Sequence, residues 1–431
     1  MKMDVGSGTA QTEQEAGGDR RWYVLAIIVI GYAIYNLDKS IVSILIEPLK
    51  AEFALSDGQI GALTGIATSL PFALACLPVG MLADRRNRKR LLALLIAGWS
   101  SMTALGGFAV HSWHLFAARA GVGGFEAGYA PVSMSMLSDS FPRRQRATAM
   151  GIFSLGAPLG VFLGLAVGGL VAASHGWRAA MWVAGGPGLI LALVIALTIR
   201  EPARGRFDDL SERPEPARLS AALSHFWRNA VVFHVGWGMT CGAIMLAAIS
   251  VWTPSLLIRV HDFDVRQAGL GAALVVGLCG ALGAAIGGII SDRLGARKET
   301  LRMAMPIFGP LVSMLFILGA CFVDDGILAL ILLGPAAFFG QFYIGAGYAA
   351  ATSYTPVRMR GATMAVLLIA FNLISHNMGA MLVGTLSDVL RPEFGGRSIA
   401  IGMALTSIFS LFAALFFWRA MYVIGKGGKL D

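Results

Sequence analysis

Charge is scarce in this chain. Only 14% of its 431 residues are Asp, Glu, Lys or Arg, while 56% are hydrophobic and the mean hydropathy is +0.70. A soluble domain is about 25% charged, so the scarcity excludes a large soluble domain. Cysteine is scarcer still. Cys76, Cys241, Cys279 and Cys321 all lie in apolar runs without C-x-x-C spacing, which argues against disulfides and a thiolate metal site. There is no G-x-x-x-x-G-K-[ST] loop for ATP and no H-E-x-x-H pair. A primary pump and a zinc-dependent intramembrane hydrolase are thereby set aside, and the chain is read as no enzyme. No metal or cofactor is expected. Neither the polar tail nor the linker is large enough for a signalling domain, which argues against a sensor. No secretory signal precedes the first apolar run, so that run must direct insertion itself.

Apolar runs fill the rest. Twelve spans are read at about 22–46, 58–83, 91–110, 114–138, 147–173, 178–199, 229–257, 268–290, 301–322, 327–352, 361–388 and 398–421. Each can cross a bilayer as a helix, and the 54 glycines suit close helix packing in lipid. The expected organisation is a disordered cytoplasmic tail (1–21), a six-helix bundle (22–199), a cytoplasmic linker (200–228), a second six-helix bundle (229–421) and a cytoplasmic tail (422–431). The net charge of +9 does not indicate nucleic acid. With the N-terminus inside, 26 of the 34 Lys and Arg fall on inner segments and six on outer ones. That bias sets topology and makes anionic membrane lipids the neighbours of the basic charge.

The two halves echo each other. GMLADRRNRK (80–89) follows the second span and GIISDRLGARK (288–298) the eighth, at an offset of 208 residues. FPRRQRATAM (141–150) matches TPVRMRGATM (355–364) at an offset of 214. Six spans, a linker and six related spans make a two-lobed transporter body. Gly80, Asp84, Arg85 and Arg88 in the first loop, and Gly288, Asp292, Arg293 and Arg297 in the second, are read as conformational latches. A glycine admits a close neighbour there, and the carboxylate can bind a helix N-terminus or an arginine.

Ionisable groups inside the spans mark a pathway. AIYNLDKSIVSILI (33–46) carries Asp38 and Lys39, and the fourth span carries Arg119 and Glu126. Seven residues separate the latter two, roughly 10 Å along one helix face. The four charges balance, which lowers the cost of burial. Asp38 and Glu126 are read as proton-coupling acids, with Arg119 and Lys39 as the charge switch that also meets an anionic substrate. Arg119 suits a carboxylate or phosphate because its guanidinium binds bidentately. Weaker expectations place Tyr35, Tyr129, His234, Trp237, Tyr343, Phe371, Asn372 and His376 on the cavity wall. Glu47 and Asp388, near outer helix ends, are read as interfacially solvated.

The paired G-x-x-x-D-R loops resemble the loop signature of the major facilitator superfamily, over nearly the whole chain. The resemblance implies two six-helix bundles around a central cavity, working by alternating access. NLDKSIVSILIEPLKAEF (36–53), SDGQIGALTG (56–65), WSSMTAL (99–105), ARAGVGGFEAGYAP (118–131), FPRRQRATAMGIFSLG (141–156), REPARG (200–205) and WTPSLLIRVH (252–261) are similar to the Spinster-like transporters. That family is associated with lysolipid and sphingolipid export or proton-coupled movement of amphiphilic anions. Two positions depart from it. Lys39 stands where the family carries Arg, and Phe125 replaces the second glycine of G-x-G-E, which is expected to narrow the cleft. The resemblance implies a proton-linked secondary transporter of an amphiphilic or lipid-like anion, monomeric and multi-pass in the inner membrane. The alternative is a proton-coupled symporter of a small organic acid, because anion:cation symporters carry a similar acid–base pair in span one and Arg…Glu in span four.

Overall fold

A computed structural model describes residues 7–204, 207 and 219–427, with side chains from Arg20 onward except Leu77, Asp84, Arg143, Leu219, Val357, Ile369, Phe371 and Asn372. The described residues form helices and no strand. In the first half these are α1 (Ser7–Ile44), α2 (Ile46–Phe53), α3 (Asp57–Thr64), α4 (Ile66–Arg85), α5 (Arg88–Gly106), α6 (Ser112–Glu126), α7 (Tyr129–Ser140), α8 (Arg143–Ser154) and α9 (Gly156–Thr198). In the second they are α10 (Leu219–Arg228), α11 (Ala230–His261), α12 (Val265–Ala272), α13 (Gly280–Arg297), α14 (Ala304–Phe322), α15 (Gly326–Gly340), α16 (Ile344–Ser353), α17 (Arg360–Ile369), α18 (Asn377–Phe394), α19 (Ser398–Thr406) and α20 (Phe409–Gly425). α1 is helical from Ser7, so the later part of the tail expected to be disordered is helix; its Ala, Gln and Glu are good helix formers. The end of the expected linker is likewise helical, as α10.

Eight helical runs among the described residues are long and apolar enough to cross a membrane. Two of them, Arg144–Thr198 with 55 residues and Arg360–Gly425 with 66, exceed twice the roughly 20 residues of one crossing. The first is broken inside α9 at Gly176, whose φ of 81° is open to glycine.

The internal repeat extends to the helix caps. Ser56 caps α3 in a reciprocal box with Gln59, and Asp264 caps α12 in the same box with Gln267. The two boxes stand 208 residues apart, as the G-x-x-x-D-R loops do. Close packing within the first half relies on glycine. A Cβ on Gly160 would lie 2.1 Å from the Ala33 carbonyl oxygen, so α9 meets α1 at backbone distance only because that position is glycine.

Three apolar cores show how the halves sit. One runs from Val24 to Ile199 and belongs to the first half alone. Another runs from Phe226 to Ile424 and belongs to the second. The third draws on both, joining Ile41–Leu63 and Leu165–Ala184 to Met245–Leu257, Ala268–Val275 and Ala380–Met403. The shared core lies toward the ends of α1 and α11, and the separate cores lie toward their beginnings. The halves are therefore packed together at one end and apart at the other.

Candidate functional site

The intramembrane charges of the first half converge. Asp38 on α1 is buried, and its Oδ1 accepts a hydrogen bond from Thr103 Oγ1 at 2.7 Å and one from Arg119 Nη1 at 3.5 Å. The next residue, Lys39, points about 100° away around the helix. Its ammonium donates to the Tyr35 hydroxyl at 2.6 Å, lies 4.3 Å from that ring's centroid, and stands 3.6 Å from Glu126 Oε2. Two acid–base pairs result, one fully enclosed and one with a window. The Lys39 side chain is 31% exposed, whereas its partner Glu126 is 0% exposed.

Neither pair is fully satisfied. Among the described residues, Asp38 Oδ2, Arg119 Nε and both carboxylate oxygens of Glu126 are buried without a hydrogen bond. Buried polar atoms left unpaired are costly, so such a cluster adds little to stability. The chain bends beside it. α6 ends at Glu126 and α7 begins at Tyr129, and the related position 214 residues on is also broken, between α15 and α16.

A second cluster joins the halves at the packed end. Asp57, at the start of α3, is buried and receives Arg259 of α11 bidentately, Nη1 to Oδ2 and Nη2 to Oδ1, both at 2.7 Å. Arg259 Nε also donates to Glu47 Oε1 at 2.7 Å. Lys50 donates to Asp57 Oδ1 and Ser387 Oγ to Asp57 Oδ2. Asp388 accepts from the backbone N–H groups of Asp57 and Gly58 at 2.9 and 2.7 Å, so a carboxylate of one half caps a helix of the other. Deeper along the same seam, Asn377 Nδ2 donates to Ser69 Oγ at 2.8 Å. Glu47 and Asp388 are thus bonded rather than merely solvated, because both halves bring partners to them. Asp57, Lys50 and Arg259 were not read as functional, since a charge near a helix end is ordinary. The usable signal was the S-D-G-Q box at 56–59.

Residues 28–375 match the family model described as the Major Facilitator Superfamily. The chain belongs to that superfamily. Among solved structures it is similar to a bacterial homolog of the human lysosomal transporter Spinster in an inward-facing and unoccupied conformation. The TM-score there is 0.87 at 26% identity, covering 96% of this chain and 99% of that one. An efflux pump of the superfamily from Mycolicibacterium smegmatis is 26% identical, covering 94% of this chain and 93% of that protein. A probable sulfoacetate transporter from Cupriavidus necator is 29% identical, covering 74% and 76%. The chain is therefore a multi-pass membrane transporter close to the Spinster branch, and its relatives and fold are those of transporters, not enzymes.

Other expected site residues fall elsewhere on the superfamily body. Phe125 does not narrow the cleft. Its ring packs on Gly98 of α5, where a Cβ would lie 2.4 Å away, so a glycine 27 residues earlier makes its room. Tyr129 and Tyr343 are fully buried, not on the cavity wall. Tyr129 donates to the Ile28 carbonyl and stacks among Tyr32, Tyr35 and Trp99, while Tyr343 packs on Phe417. His234 Nδ1 bonds the Ala230 carbonyl, and His234 and Trp237 lean on Phe416 of α20. Their periodicity fits either face of α11, and packing decides it. Tyr35 joins the site through Lys39. His376 is half-buried in the π-helical turn Ala370–His376, beside Asn377 and the seam. The side chains of Phe371 and Asn372 lie outside the described residues.

The loops expected to latch are at the separated end. Gly80 and Gly288 have open space where a Cβ would stand. Arg88 is buried within its own half, donating to Asp139 at 2.5 Å, Glu201 at 2.9 Å and the Pro202 carbonyl at 2.8 Å. Arg85, Asp292, Arg293 and Arg297 are exposed, and Asp292 has no bonded partner among the described residues. The Asp84 side chain lies outside them.

Proposed function

We propose that the chain is a proton-linked secondary transporter working by alternating access, and that it moves an amphiphilic or lipid-like anion. The observation that carries this reading is the Asp38–Arg119 pair, buried and incompletely bonded, beside a partly exposed Lys39. An acid removed from water favours its neutral form, and a guanidinium nearby favours the charged one. Motion of Arg119 relative to Asp38 therefore links protonation to conformation, and occupancy by an anion enters the same balance. Asp38 is the coupling acid and Arg119 its switchable partner. Glu126 is a second acid, and Lys39 and Arg119 meet the anionic head. Phe125, turned away from the cleft, leaves room for a bulky substrate. The relative described as a sulfoacetate transporter supports a second reading, proton symport of a small organic acid.

In this reading the protein is a monomer in an inner membrane and crosses it twelve times. Each long run contributes two crossings, and α5 and α6–α7 contribute one each, their hydropathy lowered by charge. Both termini and the linker face the cytoplasm, as the basic charge supports. The structure then corresponds to an inward-open state, and the latches at Asp84 and Asp292 engage when that end closes.

Substrate flux in proteoliposomes tests the coupling. Asp38→Asn should bind a lysolipid anion yet lose stimulation by an imposed pH gradient, while Arg119→Ala should lose binding as well. Full gradient-driven transport by Asp38→Asn would move the coupling role to Glu126 or His376. Labelling of a linker cysteine in intact cells by an impermeant reagent would overturn the topology.

A further inference from the structure

α10 does not hang free as a linker. Ala222 and Phe226, one turn apart, are buried against the second half. The Phe226 ring fills a seat that exists because position 236 is glycine; a Cβ there would lie 2.4 Å from Phe226 Cε2 and 3.0 Å from Leu367 of α17. One residue later the chain enters α11. Asn229 caps that helix through Val232 N at 3.0 Å and donates to the Tyr354 carbonyl at 3.2 Å, so the corner is fixed.

The neighbouring edge of α10, about 100° around the helix, is apolar and bare. Leu223 is 42% exposed and Trp227 60%, again one turn apart. Trp227 begins an aromatic strip, with its ring 5.5 Å from Phe233, then Phe233 6.5 Å from Trp237 and Trp237 6.4 Å from Phe416. Phe416 is half-buried on α20, one turn from exposed Phe412 and flanked in sequence by exposed Leu415 and Trp418. That surface faces hydrocarbon in a membrane protein, so the strip runs from lipid up to α10. Arg228 at the end of α10, Arg360 at the start of α17 and Arg358 just before it are all exposed, and Arg360 Nε donates to the Thr355 carbonyl at 3.3 Å, one residue from the Tyr354 carbonyl that holds Asn229. Neither α10 nor α17 contains an acid.

We propose that α10 lies in the plane of the membrane interface and, with α11, α17 and α20, forms a site for an anionic phospholipid. An acyl chain lies along Trp227, Phe233, Trp237 and Phe416, and the phosphate is held by Arg228, Arg358 and Arg360. Tryptophan favours that depth, and an in-plane helix binds by apolar burial plus attraction to anionic headgroups. Because Phe226 bears on α17, which leads into the π-helical turn at His376, the lipid is coupled to the cross-half seam.

The test uses the full chain in nanodiscs of brominated phosphatidylcholine. Trp227 is one of nine tryptophans, so its quenching is read as the difference between wild type and Trp227→Phe. Non-brominated phosphatidylglycerol is then titrated in. The site requires that Trp227 be quenched, and that phosphatidylglycerol relieve a fraction of the quenching well above its bulk mole fraction. Each arginine removed as glutamine should shift that relief about fivefold, the effect of one basic residue at a membrane surface. No quenching of Trp227 would overturn the interfacial placement. Relief that merely follows bulk composition in the wild type would overturn the anionic site.

Discussion

Arg259→Ala removes three hydrogen bonds that cross between or flank the two halves, all at 2.7 Å. Among the described residues it leaves the buried Asp57 carboxylate with Lys50 and Ser387. Breaking one partner out of a buried pair costs about 3–5 kcal/mol. Arg259 and Glu47 keep some exposure, at 13% and 22%, so the low end applies, about 3 kcal/mol. At roughly 1.4 kcal/mol per factor of ten, the ratio of packed to separated states at that end should fall about a hundredfold. The assay is electron–electron distance measurement between spin labels on Trp113 and Ile327, exposed at that end in different halves, in a background without the native cysteines. A longer distance should become the main population. Arg397→Gln is the control, because its pair with Asp324 is exposed and lies within one half. If Arg259→Ala lowers the melting temperature while the distances stay as in wild type, the cluster holds the fold together and does not gate it.

Four further outcomes can be measured. Tyr35→Phe removes the 2.6 Å acceptor of the Lys39 ammonium, and the substrate affinity of that variant should change several-fold without loss of folded protein in size-exclusion chromatography. Gly123→Ala places a Cβ 1.9 Å from the Thr68 carbonyl oxygen, and overpacking of that kind should cost about 1–3 kcal/mol, read as a lower melting temperature in detergent. Glu52, on α2 beside the span ends, is held below the usual carboxylate range by hydrogen bonds from Arg178 and Trp177. Its contribution to stability is present above the ordinary glutamate range and is lost as pH falls through the depressed value, so the acid-side fall in melting temperature should be shallower in Glu52→Gln. Asp388→Asn weakens the cap on α3 and should open the packed end less than Arg259→Ala does, in the same distance assay.

The two clusters were unequally legible in the sequence, for a physical reason. Asp38 and Arg119 stood out because a charge within hydrocarbon is rare, and the structure brings them together. Asp57 and Arg259 lie at helix ends, where charge is the rule, and only the fold reveals that each faces the other half. Tyr129 and Tyr343 share the periodicity of a cavity wall, yet aromatic spacing does not separate a wall from a core. The effect of Phe125 depends on Gly98, a partner on another helix that sequence spacing does not reveal. The bundle plan was carried by the repeat, which extends even to the capping boxes at 56–59 and 264–267.

The three cores have a thermodynamic consequence. If the halves swing so that the packed end separates and the separated end packs, one shared apolar seam is dismantled while another is assembled. The heat-capacity change follows the apolar surface newly exposed to water, and here exposure at one end offsets burial at the other. The isomerisation should therefore have a heat capacity near zero, unlike unfolding. The balance between the two states then follows a nearly straight van't Hoff line, and a transporter so built keeps its poise across its growth temperatures without a sharp optimum imposed by the seam.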